Sequence, residues 1–133
     1  MVKDEITVLV VEDEAATRLA VCEHLAHDGF KVFEAVTAAQ ALEVLQLHPE
    51  IDTVFTDLLL PGGMDGLELT QWLLQHRPDL PIVLTSGVWQ RTAAMNALAR
   101  SERLPYFIKP YQYAAVSDKI RELVETPRHQ ASH

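Results

Sequence analysis

The sequence predicts an α/β fold in which a parallel sheet is covered by helices on both faces, and three observations predict it. Short β-branched apolar runs such as "ITVLVV" (Ile6 to Val11) and "PIVLTS" (Pro81 to Ser86) read as strands buried on both faces. Segments of helical period stand between such runs, so that strand and helix alternate five times along the chain. A length of 133 residues with 48% hydrophobic content fits one globular domain and is too short for two ordinary ones. Parallel neighbours need crossovers, and those are right-handed, so the alternation specifies a doubly wound sheet.

The elements follow in order. Ile6 to Val11 is the first strand. After Glu12-Asp13-Glu14 the period changes: Leu19, Cys22, Leu25 and Ala26 lie three or four apart and predict the stripe of a first helix, with Gly29 where a helix commonly ends. "KVFEAV" is the second strand, and Thr37 followed by Gln40 has the form of a capping box before "ALEVLQ", a unit that Pro49 closes. "TVFTD" is the third strand and "LELTQWLLQH" the helix after it, ended by Arg77-Pro78. "PIVLTS" is the fourth strand and "RTAAMNALARS" an alanine-rich fourth helix. "YFIKP" gives a short fifth strand, and Val116, Ile120, Leu123 and Val124 form a final stripe that Pro127 stops. The expected organisation is one domain over residues 1–126 and a flexible tail over 127–133.

Composition narrows the function. The net charge of −8 is spread along the chain, which argues against a sequence-independent grip on nucleic acid and directs any output to a protein partner. A lone Cys22 excludes an internal disulfide and reads as a small helix-core residue rather than a reactive thiol. No charged-then-apolar leader opens the chain and no apolar run is long enough to span a bilayer, so a soluble cytoplasmic protein is expected. The six histidines, His24, His27, His48, His76, His129 and His133, are scattered and predict no metal cluster.

In doubly wound sheets the ligand site lies beyond the carboxyl ends of the strands. The residues there are Glu12 and Asp13 after strand one, Asp57 after strand three, Ser86 or Thr85 at the end of strand four, and Lys109 after strand five. Singly, each has an ordinary explanation: acidic residues favour first helical turns, and lysines favour solvated surfaces. Together they are a chemistry. Three carboxylates repel unless something positive joins them, and an all-oxygen site suits Mg²⁺ or Mn²⁺ better than zinc.

These segments resemble the receiver domains of bacterial two-component response regulators, from about Ile6 to about Val124. "VVEDE" is similar to that family's acidic pair, "TDLLLPGGMDG" to its phosphoacceptor strand and turn, "LTSG" to its strand-four hydroxyl segment, and "YFIKPY" to its Lys-Pro segment. The resemblance implies the flavodoxin-like strand order 2-1-3-4-5, with Asp57 as phosphoacceptor, Glu12 and Asp13 as the acidic pocket and Lys109 as ion-pair partner. It implies Mg²⁺ held by Asp13, Asp57 and the backbone carbonyl of Leu59, with Glu12 beside them. Counting from Pro81 on the family's pattern selects Ser86 over Thr85 as the switch hydroxyl. Tyr106 matches the aromatic position that reports phosphorylation, although an ordinary half-buried strand tyrosine fits the same residue. The Lys109-Pro110 bond is expected cis. Two departures stand out: "PGGMDG" is one glycine longer than the common "PxMDG", and "SERLPYF" lacks the Gly-Ala pair often found before the fifth strand.

The resemblance implies a phosphorelay signalling module, not an enzyme with its own substrate, that assists its own phosphorylation and dephosphorylation. Its donor would be a sensor histidine kinase or histidine phosphotransfer protein, and its output the face of helix four, strand five and helix five toward a downstream protein or a phosphorylation-dependent second copy. A single-domain regulator is expected, free-standing or excised from a longer protein. Two other readings compete. A hydrolase with an Asp nucleophile usually adds a second Asp two residues on, where this chain has Leu59; a flavodoxin-like cofactor carrier would not carry the acidic turn "EDEAAT". Leu59 and Val88 are apolar where a polar residue would orient water, so a long-lived acyl phosphate is expected.

Overall fold

The computed structural model describes residues 5–87, 93–102 and 104–125. Five parallel strands, β1 (Thr7–Val11), β2 (Lys31–Ala35), β3 (Thr53–Asp57), β4 (Ile82–Gly87) and β5 (Tyr106–Lys109), form one sheet in the order β2-β1-β3-β4-β5. The crossovers are α1 (Ala15–His27), α2 (Ala38–Leu47), α3 (Gly66–His76) and α4 (Ala93–Ser101), and α5 (Tyr113–Glu125) follows the last strand. The predicted fold class and strand order are those observed, and strand ends differ from expectation by about one residue. Arg91 and Thr92 of the predicted fourth helix, Val88, Pro127 and the tail at 127–133 lie outside the described residues.

The alternation of side chains along each strand divides the interior into two layers. Val8, Val10, Phe55 and Val83 pack against Val21 and Leu25 of α1 and Val116 and Ile120 of α5. Leu9, Val54, Ile82 and Leu84 pack on the opposite face, against Leu45 of α2, Leu69 and Leu73 of α3 and Met95 of α4. Burial of each such Leu or Ile side chain contributes about 1.5–3 kcal/mol. The central strands are therefore buried at nearly every position and rich in apolar and β-branched residues, which is why "ITVLVV" and "TVFTD" are legible as buried strands. The edge strand β2 instead exposes Lys31 and Glu34, charges that discourage edge-to-edge pairing.

The first helix departs from expectation in its phase. Leu19 is 55% exposed and Ala26 is exposed, whereas Val21 and Leu25 are buried and Cys22 is half-buried. The stripe that faces the protein runs 18, 21, 22 and 25, and its first member is a charged residue, Arg18, so hydrophobicity alone sets the phase wrongly. Cys22 is in contact with the apolar layer, and burial pushes its thiol up to about 12, with the Glu34 charge adding and Arg18 opposing.

Helix ends follow local chemistry. Gly29 (φ +96°) ends α1: its N–H donates to Ala26 (3.1 Å) and Phe30 N–H to Leu25 (3.0 Å), the paired bonds of a Schellman motif, with buried Phe30 as its apolar partner. Thr37 accepts from Gln40 N–H (3.1 Å), but Gln40 Oε1 reaches the Val36 N–H (2.7 Å) instead of the cap residue's own, so only half of the predicted capping box forms. The complete box is at α3, where Asp65 and Glu68 exchange bonds of 2.9 and 3.1 Å.

Candidate functional site

Strand order reverses between β1 and β3, which places the ends of these two strands at the topological switch point. Val11 pairs with Thr56, so the next residues, Glu12 and Asp57, emerge at neighbouring positions. Asp57 pairs with Thr85 of β4, and Gly87 with Lys109 of β5, which carries the lysine to the same edge. Each functional side chain is thus delivered by the register of the sheet.

Glu12 and Asp57 are 3% and 2% exposed, and Lys109 reaches both. Its Nζ lies 2.6 Å from Glu12 Oε1 and 2.7 Å from Asp57 Oδ2. The second oxygen of each carboxylate is held by a backbone amide: Glu14 N–H donates to Glu12 Oε2 (3.1 Å) and Leu59 N–H to Asp57 Oδ1 (3.0 Å). Asp13 is exposed, yet one carboxylate oxygen from each of Glu12, Asp13 and Asp57 falls within 4.8 Å of the others.

Burial holds the Glu12 carboxyl above the ordinary carboxylate range and the Asp57 charge pushes the same way, while Lys109 and the Glu14 amide offset part of it. For Lys109 burial alone would favour the neutral amine, but bonds to Asp57 and Glu12 and their charges outweigh it and hold its pKa above the usual value. Three carboxylates face one ammonium, and the deficit of positive charge marks where a cation would go. The donor set is all oxygen, without histidine or cysteine, and so fits a hard divalent ion such as Mg²⁺.

The hydroxyl segment is arranged differently. Ser86 is fully buried and its Oγ lies 2.5 Å from the Tyr106 hydroxyl. Thr85 is also buried, but its Oγ1 has no hydrogen-bond partner among the described residues. The tyrosine hydroxyl is therefore turned toward Ser86. The Lys109–Pro110 peptide bond is cis. In the turn after Asp57, Pro61 precedes Gly62 at φ +99°, the combination that a type II turn calls for. With this turn in place, extra glycine included, Asp57 keeps its pairing with Thr85.

Two residues of the site were missed in the sequence. Gly66 opens α3 against the end of β3, where a Cβ would lie 1.9 Å from the Asp57 carbonyl oxygen and 2.7 Å from Leu58 Cα. Arg18 donates from Nη1 to the Glu12 carbonyl (3.0 Å). The available signal for Gly66 was its place directly after Asp65, an N-cap residue; for Arg18 it was a lone basic residue one turn after three acidic ones. Among the described residues no histidine belongs to the acidic cluster. His24 pairs with Asp28 (3.2 Å), His48 stacks on Phe33 and His76 on Trp72; His129 and His133 lie outside the described residues.

The fold and site together define a doubly wound α/β signalling module with a lysine-bridged acidic pocket at its switch point. The chain belongs to the response regulator receiver domain family, which it matches over residues 8–121. Over 120 residues it is 32% identical to the sensor kinase CckA of Brucella abortus, covering 90% of this chain and 12% of that protein. It is 28% identical over 116 residues to the chemotaxis protein CheY of Bacillus subtilis, covering 86% of this chain and 94% of that one. The crystal structure of the receiver domain of NtrX from Brucella abortus superposes with a TM-score of 0.79 at 27% identity, over 90% of this chain and 98% of that chain. The chain spans about an eighth of the sensor kinase and 22% of the NtrX-like regulators of Rickettsia that it also matches. Phosphorelay signalling is the role of this family. Among the described residues no helix is long and apolar enough to cross a membrane.

Proposed function

We propose that Asp57 is the phosphoacceptor, receiving its phosphoryl group from a phosphohistidine on a partner kinase or phosphotransfer protein in the cytoplasm. The observation that carries this reading is Lys109 Nζ, 2.7 Å from Asp57 Oδ2 and 2.6 Å from Glu12 Oε1 inside a pocket rich in carboxylates. An ionised carboxylate needs no base to become a nucleophile; its obstacle is charge repulsion from the phosphoryl oxygens. As the Asp57 oxygen–phosphorus bond forms, the phosphorus–nitrogen bond breaks and the imidazole nitrogen leaves with its electron pair. Lys109 keeps its proton and neutralises charge on both groups, and Leu59 N–H holds the acceptor carboxylate in one orientation. Glu12, Asp13, Asp57 and the Leu59 carbonyl would hold Mg²⁺ or Mn²⁺, which when bound adds positive charge where the phosphoryl group arrives. Phosphate uptake from acetyl phosphate should therefore require the divalent ion; uptake at full rate in EDTA would overturn this part of the reading.

The output begins at Ser86. Its hydroxyl is shared with Tyr106 and has to turn toward the new phosphoryl oxygens to donate to them, which releases the Tyr106 hydroxyl and re-forms the face of α4, β5 and α5. That face would receive a downstream protein or a second copy of the domain. Ser86→Ala should still accept phosphate but lose the response at Tyr106. The check is the change in Tyr106 NMR shifts on phosphorylation; equal changes in variant and parent would contradict the coupling.

A further inference from the structure

The loop between β1 and α1 carries two of the three pocket carboxylates, and Arg18 holds it from behind. The guanidinium Nη1 donates to the Glu12 carbonyl at 3.0 Å and lies 3.5 Å from the Asp13 carbonyl, while Nε donates to Glu34 Oε1 of β2 at 3.1 Å. The Arg18 side chain is 16% exposed, so these bonds are partly shielded from water. Carbonyls at the end of a strand have lost their ladder partners and need donors, and only arginine offers several in one rigid plane. Glu12 is anchored besides by its own N–H to Ala35 (3.0 Å) and by Lys109. Asp13 is exposed, and the place of its carboxylate follows from the backbone that carries it.

We propose that Arg18 is a positioning residue for the acidic pocket: tied to β2 through Glu34, it fixes the Glu12 and Asp13 carbonyls and thereby sets the Asp13 carboxylate where a divalent cation meets three carboxylates rather than two. This rests on the reading of the pocket as a divalent-cation site. Two roles for Arg18 have opposite signs. As a mere charge it repels an incoming cation, so its removal tightens binding. As a clamp it preorganises a ligand, so its removal loosens binding. The clamp dominates, because Glu34 balances the guanidinium charge and the remaining repulsion is screened by salt, whereas loss of a ligand's supporting partner costs about 10–100-fold in metal affinity.

The test is a Mg²⁺ titration of the full chain, followed by amide NMR, on the parent, Arg18→Gln, Arg18→Lys, Glu34→Gln and Asp13→Asn, with urea midpoints measured alongside. Arg18→Gln should bind Mg²⁺ about tenfold more weakly, with metal-free shift changes centred on residues 12–14. Arg18→Lys should be weakened too, since one ammonium cannot serve Glu34 and two carbonyls together, and it carries the test if the glutamine variant fails to fold. Unchanged or tighter Mg²⁺ binding in the Arg18 variants, with a parent that binds and an Asp13→Asn that binds less, overturns the clamp alone. A parent that binds no Mg²⁺ overturns the cation reading and the clamp with it.

Discussion

Asp57→Asn should take up no phosphate from acetyl phosphate and Mg²⁺ while unfolding at nearly the parent's urea concentration. The substitution keeps the shape of the side chain and an oxygen for the Leu59 N–H, but replaces the ionised nucleophile by a neutral amide. Breaking a buried ion pair is usually costly because it strands a charge. Here Lys109 retains Glu12 at 2.6 Å, and a pocket of three carboxylates around one ammonium loses a repulsive charge. The two effects oppose, so the stability change should stay within about 1 kcal/mol. A phosphate-affinity gel reads the first outcome and a urea curve the second. Labelling that persists in the variant would move the acceptor elsewhere.

Gly66→Ala should be the most destabilising single-methyl addition near the site. The new Cβ would lie 1.9 Å from the Asp57 carbonyl oxygen and 2.7 Å from Leu58 backbone carbon atoms, and backbone of a central strand cannot yield as a side-chain tip can. The start of α3 has to move off the sheet, which strains the Leu67 N–H bond to the Leu58 carbonyl (3.1 Å) and the Asp65–Glu68 capping box. We expect a loss of about 3 kcal/mol, at the upper end of overpacking costs, and a fall in Tm of roughly 10 °C. Because the displaced atoms belong to Asp57 and Leu58, phosphate uptake should slow as well. An unfolding free energy from the urea curve within about 0.5 kcal/mol of the parent's would contradict the close approach.

The sheet was legible because strands buried on both faces are rich in apolar and β-branched residues, as β1, β3 and the first half of β4 are. The acidic pocket was legible because its members stand at or just after the strand ends, and strand ends converge in a doubly wound fold. Three things were hidden. The phase of α1 was ambiguous because exposed Leu19 extends the stripe of Cys22 and Leu25 as well as buried Val21 does, and the fourth member of the true stripe is the charged Arg18. The Ser86–Tyr106 bond depends on rotamers of two residues twenty apart in sequence, and sequence spacing carries no rotamer. Gly66 is required by another segment's backbone rather than by its own φ, so its place after the N-cap residue Asp65 marks a helix start but not the close approach. Within the groove walled by Leu104, Tyr106 and Ile108 beside α4, the burial pattern of β5 is too short to be read as alternation. Of the two apolar residues expected to exclude water from the phosphoryl group, Leu59 is half-buried beside the acceptor and Val88 lies outside the described residues.

The central claim is that Asp57, bridged by Lys109 and set among carboxylates, takes a phosphoryl group. Intact mass of the full chain after incubation with acetyl phosphate and Mg²⁺, followed by fragmentation to place the added group, tests it most directly. The account predicts the gain of one phosphoryl group on the parent, located at Asp57 and discharged by alkaline hydroxylamine as an acyl phosphate is. No gain in mass, or a gain located on a serine, threonine or histidine, would contradict it.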